Sequence, residues 1–186
     1  MKKSLWLGGV LAGVAVFAWG FLSWTVLPFH ETTLLKFNDE AAVTAAIAAN
    51  APTPGVYLLP NEYAGNETAE QRQARMDAAM RQWETGPTAI MAVRLGANPS
   101  MTPYITIGLI SQIIGGLLIA FLLSKTSGLG YWGRVGFTVL VGVTVGVLSL
   151  VPEWNWWGFS AGYVGATFLD YVVGWFLGGL VLAKFS

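Results

Sequence analysis

One carboxylate inside a long apolar stretch is the group in this 186-residue chain most able to do chemistry. Asp170 lies near the middle of the stretch 157–185. A carboxylate at that depth in a bilayer costs about 2.5–3.5 kcal/mol on insertion scales, so we expect it to have a partner or a function. Three roles are open: a hydrogen bond that fixes helix register, binding of a proton, ion or ligand, and a polar contact with a partner subunit.

Ser111 and Gln112 are the other polar candidates within an apolar stretch, near the centre of 103–124. At roughly 1.5 Å rise per residue, the depths of Gln112 and Asp170 differ by only about 6 Å. Burial disfavours the charged form of a carboxylate. We therefore expect Asp170 to donate a hydrogen bond, with Gln112 as its first candidate acceptor.

His30 and Glu31 follow the first apolar stretch, where an imidazole and a carboxylate could bind a metal or a lipid headgroup, or serve acid–base chemistry. A lone imidazole is a poor metal site, so an interfacial anchor or a cap contact is the alternative that we favour. Trp154, Trp156 and Trp157 could stack on a ligand ring, but their place at the end of a stretch favours a lipid-facing aromatic belt.

The composition excludes several classes of site. The chain has no Cys and one His, which excludes disulfides, thiolate catalysis, iron–sulfur clusters, and metal sites built from several imidazoles of one chain. We find no nucleophile elbow, phosphate-binding loop or dinucleotide fingerprint. The formal net charge of zero gives no sign of a nucleic-acid partner. We expect no metal and no cofactor.

Four apolar stretches must position these residues: 4–27, 103–124, 131–151 and 157–185. A bilayer-spanning helix needs roughly 20 apolar residues. The chain is also only 11% charged, whereas soluble domains are about 25% charged. The sequence predicts an all-α transmembrane four-helix bundle formed by residues 1–27 and 103–186, with 152–156 as a tight turn.

Small residues recur every four positions around Asp170, and this spacing predicts one face of the last helix. The set is Gly158, Gly162, Ala166, Gly174 and Gly178. Small side chains let helices approach closely in lipid, so we expect this ridge to face other helices. The G-x-x-x-G spacing occurs at Gly9 and Gly13 and again at Gly142 and Gly146. This spacing alone is weak evidence for helix pairing.

Residues 28–102 form the one sizeable polar region. A helix is predicted from Glu40 to about Ala49, and another from Thr68, which forms a capping box with Gln71, to about Glu84. The segments 55–59 and 89–95 are typical of strands. We expect a small extracytoplasmic α/β cap between spans one and two.

The charge distribution predicts that both termini are cytoplasmic. The segments on the same side of the membrane as the termini contain basic residues and no acidic residues, which is the positive-inside pattern. These basic residues are Lys2, Lys3, Lys125, Arg134 and Lys184. Residues 28–102 and the turn 152–156 would then lie outside.

Four motifs, 19–24, 27–30, 86–87 and 156–159, together with Asp170, resemble a group of small bacterial inner-membrane proteins. The resemblance implies a multi-pass protein of the bacterial plasma membrane and brings no activity with it. Four spans with a large first outer loop are also similar to the layout of claudins. Claudins have a Cys pair in that loop and this chain has no Cys, so the similarity concerns layout only.

Two functions stay open. The first, which we favour because the spans contain few polar groups, is a non-catalytic accessory or binding module whose outer domain contacts a partner or ligand. The second is a membrane enzyme or a proton-coupled carrier that uses Asp170. The expected partners are the lipid bilayer and either another protein or a second copy of the chain.

Overall fold

The computed structural model describes residues 3–61 and 65–185. Lys2, one of the predicted inside charges, lies outside the described residues. The helices are α1 (Lys3–Thr25), α2 (Glu40–Asn50), α3 (Ala69–Thr85), α4 (Thr102–Leu123), α5 (Tyr131–Trp157) and α6 (Ala161–Leu182), with a 3-10 turn at Glu31–Thr33. The strands are β1 (Gly55–Leu59) and β2 (Ala89–Val93). Among the described residues, α1, α4, α5 and α6 are the helices long and apolar enough to cross a membrane, as the apolar stretches predict.

The predicted turn at 152–156 is wrong, because α5 continues through Pro152 to Trp157. The helix ends at Gly158, which adopts a left-handed conformation (φ 73°) and donates its N–H to the carbonyl of Glu153. Glycine adopts that conformation without the steric cost that a side chain brings. Ser160 then caps α6 by accepting a hydrogen bond from the N–H of Tyr163. Gly158 therefore lies outside the helix that contains the other ridge residues.

The chain divides into two compact units, one made of residues 1–35 and 99–186 and the other of residues 36–98. In the first unit, α1 packs against α4 and α6, and α6 packs against α5. The helix backbones approach closely at glycines. A Cβ on Gly13 would lie 2.5 Å from Cα of Ile113, and one on Gly142 would lie 2.9 Å from the carbonyl oxygen of Tyr171.

The small-residue ridge of α6 contacts α1 over its C-terminal half. Gly174 and Gly178 are buried, and a Cβ on Gly178 would lie 2.9 Å from Cγ2 of Val16. Gly162 is exposed, and among the described residues a Cβ there would meet the methyl group of Thr33, at 3.8 Å. Ala166 is half-buried. The ridge thus allows close helix packing at Gly174 and Gly178, and leaves space at Gly162.

The second unit has the predicted α-β-α-β order. Thr68 and Gln71 form the predicted capping box at the start of α3, and Asp39 caps α2 by accepting from the N–H of Ala42. β1 and β2 pair antiparallel in the register Gly55↔Val93 to Leu59↔Ala89.

Little apolar surface is buried in this unit. Its buried apolar residues in the described part of the chain are Ala51, Pro60, Ala79 and Val93. Its exposed large apolar residues are Phe37, Val56, Leu59, Met76, Met80, Trp83 and Leu95.

Candidate functional site

Asp170 in the middle of α6 contacts one face of α1. Nε1 of Trp19 donates a hydrogen bond to Oδ1 of Asp170 at 3.1 Å, and Oγ of Ser23 donates to the same oxygen at 2.6 Å. Trp19 and Ser23 are four residues apart, so both project from one face of the helix. The carboxylate is 10% exposed, and its Oδ1 therefore sits among protein donors.

The chain beyond α1 turns back and adds His30 to this contact. Nε2 of His30 lies 2.8 Å from Oδ2 of Asp170 and 3.0 Å from Oγ of Ser23. His30 is 2% exposed and Ser23 is fully buried. The 3-10 turn begins immediately after His30, and the N–H of Thr33 donates to the carbonyl of His30. This turn packs against α6. We refer to Trp19, Ser23, His30 and Asp170 as the polar cluster.

Two aromatic rings lie against the imidazole. The ring of Trp24 is stacked on that of His30, with centroids 3.9 Å apart and planes 12° apart, and the ring of Phe29 lies at 4.3 Å. These contacts fix the plane of the imidazole and so keep Nε2 directed at the carboxylate.

One arrangement of protons satisfies all contacts of the polar cluster. The indole N–H of Trp19 can only donate, so Oδ1 of Asp170 is an acceptor. Ser23 donates to that same oxygen, which leaves a lone pair of its hydroxyl free to accept. A proton on Nε2 of His30 is then shared between Oδ2 of Asp170 and Oγ of Ser23. In this arrangement the carboxyl group of Asp170 accepts throughout and donates nothing.

The expected bond from Asp170 to Gln112 is not found. In the described part of the chain, the hydrogen-bond partners of Asp170 are Trp19, Ser23 and His30. Gln112 lies on α4, where its backbone carbonyl faces Gly13 of α1. Similar depth places two residues at one level of the membrane. It does not determine which way each side chain points around its helix.

Nδ1 of His30 is buried and has no hydrogen-bond partner among the described residues. A nucleophilic Ser-His-Asp triad places the carboxylate at one ring nitrogen and the hydroxyl at the other. Here Ser23 and Asp170 both contact Nε2. The hydroxyl of Ser23 donates to the carboxylate, so the imidazole is not positioned to activate it as a nucleophile.

The other predicted residues lie apart from the cluster. Ser111 is exposed and donates to the carbonyl of Gly108 in its own helix, and Glu31 is exposed at the start of the 3-10 turn. Trp154, Trp156 and Trp157 are exposed near the end of α5, which fits an aromatic belt. No group of three or more His, Cys, Asp or Glu side chains that could bind a metal occurs within residues 3–61 and 65–185.

Our sequence reasoning did not identify Trp19 or Ser23 as site residues. A signal was present, since Ala12, Val16, Trp19 and Ser23 recur at helical spacing and form one face of α1. Ala12, Val16 and Ser23 are buried. A Trp and a Ser at the end of a buried apolar face indicate that a polar partner lies on the neighbouring helix.

The chain matches no protein-family model, and comparison with curated proteins and with solved structures finds no significant match. The resemblance to small bacterial inner-membrane proteins therefore stays an expectation, and the proposed function rests on the geometry of the chain.

Proposed function

We propose that the protein is a non-catalytic accessory or binding subunit of a bacterial inner membrane, with residues 36–98 outside the cytoplasm and in contact with a partner protein. The observation that supports this proposal is the burial of apolar side chains among the described residues of that unit: the buried ones are two Ala, one Pro and one Val, while seven large apolar side chains are exposed. Units of about 60 residues are marginally stable even when well packed. Covering this apolar surface would therefore stabilise the unit.

The surface best suited to a partner is one face of α3. Met76, Met80 and Trp83 share that face, and their exposed fractions are 43%, 60% and 55%. We call these three residues the α3 stripe. Met is flexible enough to fit varied surfaces, and both Met and Trp are enriched at protein interfaces.

The charges of α3 favour a protein partner over lipid. A helix that lies on an anionic bilayer has a polar face rich in Lys and Arg. α3 instead combines both signs: its acidic residues are Glu70, Asp77 and Glu84, and its basic residues are Arg72, Arg75 and Arg81.

Site-specific photo-crosslinking in intact cells tests this proposal. A photoreactive amino acid at Met80 should give one discrete protein adduct, and Met76→Glu should abolish it. Ala78 is exposed and lies on the other side of α3, so the same amino acid there is the matched control. Adducts to lipid alone at position 80, or the same protein adducts at both positions, would contradict a partner at the α3 stripe.

A second candidate function is a membrane enzyme or proton-coupled carrier that uses Asp170. The observation that favours it is the contact between buried His30 and half-buried Asp170, 2.8 Å apart, with Nδ1 of His30 unpartnered in the described part of the chain. Purified protein in liposomes containing a pH-sensitive dye distinguishes the two functions. Proton uptake lost in a folded Asp170→Asn variant would favour the carrier. Uptake equal to that of empty liposomes would favour the accessory subunit.

A further inference from the structure

We propose that the partner of the α3 stripe is a basic amphipathic helix, which packs along α3 as in a coiled coil. Its Lys and Arg side chains face three acidic residues beside the stripe, which we call the acidic row: Glu70, Asp77 and Glu84. This inference rests on the proposed function, because it names the kind of partner that residues 36–98 contact.

The exposed positions of α3 around the stripe have the spacing of a coiled-coil seam. From Ala69, steps of four and three residues alternate and lead through Gln73 to the three residues of the α3 stripe. All five residues, which we call the α3 seam, are exposed. A helix with apolar residues at this alternating spacing packs against another helix along the seam. The spacing therefore indicates that a helix fits this surface.

The acidic row lies along one edge of the α3 seam. Glu70, Asp77 and Glu84 each follow a seam residue directly and recur every seven residues. Residues three and four apart are neighbours on a helix surface, so Asp77 and Glu84 both lie beside Met80. All three acidic residues are exposed. Charges at such flanking positions set the choice of partner in coiled coils, so this edge favours a helix with basic residues.

The acidic row has no cationic partner of its own within residues 3–61 and 65–185. Nε of Arg75 lies 3.0 Å from Oε2 of Glu67, so this Arg is paired outside the row. Arg72 lies on the opposite edge of the α3 seam. Arg81 lies beside the row, but no ion pair joins it to a carboxylate in the described part of the chain. The charge of the row is therefore available to a basic partner.

The spacing of the acidic row matches the geometry of two packed helices. At a rise of 1.5 Å per residue, successive acidic residues lie about 10 Å apart along α3. On a partner helix, the same separation corresponds to basic residues seven positions apart. Packed helix axes are about 8–10 Å apart, close enough for flanking Lys or Arg side chains to reach the carboxylates. We therefore expect an apolar seam in the partner, with a basic flanking residue in each heptad.

A second copy of α3 fits this surface poorly. In an antiparallel pair, the acidic row of each copy would meet that of the other, and like charges across an interface are unfavourable. In a parallel pair, the row would meet the opposite edge of the seam, which contains Arg72, Ala79 and Gly86. Ala79 is 6% exposed, so a second copy could not present that edge. The row also repels anionic lipid headgroups, which disfavours a bilayer surface as the partner.

Neutralisation of the acidic row tests this inference in intact cells. The photoreactive amino acid is placed at Met80, as in the test of the proposed function. Asp77→Asn combined with Glu84→Gln should lower the yield of the protein adduct about fivefold, the loss expected when two exposed charge pairs are removed. Asn at position 77 keeps a carbonyl acceptor for the side-chain amide of Gln73, so the local hydrogen bond of α3 is preserved.

The matched control adds the same positive charge elsewhere on α3. Ala78→Lys combined with Thr85→Lys changes the net charge by as much as the two neutralisations, at exposed positions on the side of α3 away from the stripe. This control should keep the adduct yield of the parent. An equal loss in the control would show that net charge alone matters, and would overturn the inference.

The outcomes separate this inference from the proposed function. A neutralised variant with the full adduct yield would overturn the basic helix and leave a partner at the α3 stripe intact. A parent without any protein adduct would contradict the proposed function, and this inference with it.

Mass-spectrometric sequencing of the adduct gives a second test that needs no charge variant. The partner segment crosslinked to position 80 should have apolar residues at heptad spacing, flanked by Lys or Arg. A segment with acidic or uncharged flanks, or α3 of a second copy, would overturn the inference.

Discussion

Nε2 of His30 lies 2.8 Å from Oδ2 of Asp170, although 140 residues of chain separate the two. The contact joins the segment after the first predicted span to the middle of the last helix. Trp19 and Ser23 complete it by donating to the other carboxylate oxygen. The consequences for stability and topology can be measured with substitutions that each change one element of this arrangement.

Two substitutions of Asp170 show how far its size and its hydrogen bonds each contribute to the free energy of unfolding. Asp170→Asn keeps a carbonyl acceptor for Trp19 and Ser23, so we expect it to fold with a loss of about 1–3 kcal/mol in the free energy of unfolding. Asp170→Leu removes the acceptor of Trp19 and Ser23 and the carboxylate partner of His30, and each buried group left unsatisfied should cost about 1–3 kcal/mol, so its loss should exceed that of Asp170→Asn. Unfolding in mixed micelles measures both. Leu169→Val, at an exposed neighbouring position, is the control and should cost little. An Asp170→Leu variant as stable as the parent would contradict the assigned contacts.

Ser23→Ala removes one donor to the carboxylate from a fully buried position. Because leaving a buried hydrogen-bonding group without its partner costs about 1–3 kcal/mol, we expect a loss of that size in the free energy of unfolding. Thr144→Ala is the matched control, since the exposed hydroxyl of Thr144 donates to the carbonyl of Leu140 in its own helix. Equal effects of the two substitutions would show that Ser23 contributes no more than a hydroxyl bonded within its own helix.

Gly178→Leu should separate α6 from α1. A Cβ at position 178 would lie 2.9 Å from Val16, and overpacking typically costs about 1–3 kcal/mol. Gly165→Leu on the same helix is the control, because no atom of residues 3–61 or 65–185 beyond its own helix neighbours lies within 4 Å of its Cβ position. Thermal stability in detergent should fall for Gly178→Leu and stay near the parent value for Gly165→Leu. Similar melting temperatures for both variants would place the face with Gly178 toward lipid.

The orientation of the chain can be tested with single introduced Cys residues. We expect Asn66→Cys to react with an impermeant maleimide added to intact cells, and Ser127→Cys to react only after permeabilisation. Ser127 is preferable to its neighbour Gly128, whose φ of 74° makes a side chain strained. The reverse labelling pattern would invert the proposed orientation.

The rate of hydrogen exchange should differ between α2 and the two strands of the second unit. α2 has no buried residue, so its amides should exchange faster than those of the paired strands β1 and β2. Exchange mass spectrometry of the purified protein gives this ranking. Protection of α2 equal to that of α5 would show that α2 is covered in the purified protein.

The sequence by itself determined the features that depend on local composition. Apolar length predicted four helices able to span a membrane, and the spacing of Thr68 and Gln71 predicted the capping box. The energetic cost of a carboxylate in an apolar helix indicated that Asp170 needs a partner. Each of these features depends on residues that are close to one another in the chain, so it can be predicted from the sequence.

Only the tertiary structure decided which residues meet. Asp170 contacts Trp19, Ser23 and His30, while Gln112 lies elsewhere at a similar predicted depth. The ridge of α6 is close-packed at Gly178 and open at Gly162. These outcomes depend on the rotation of each helix about its axis and on the return of residues 26–30 toward α1. Both are set by side chains distant in sequence, because packing selects the rotation that buries the most surface and pairs the buried polar groups.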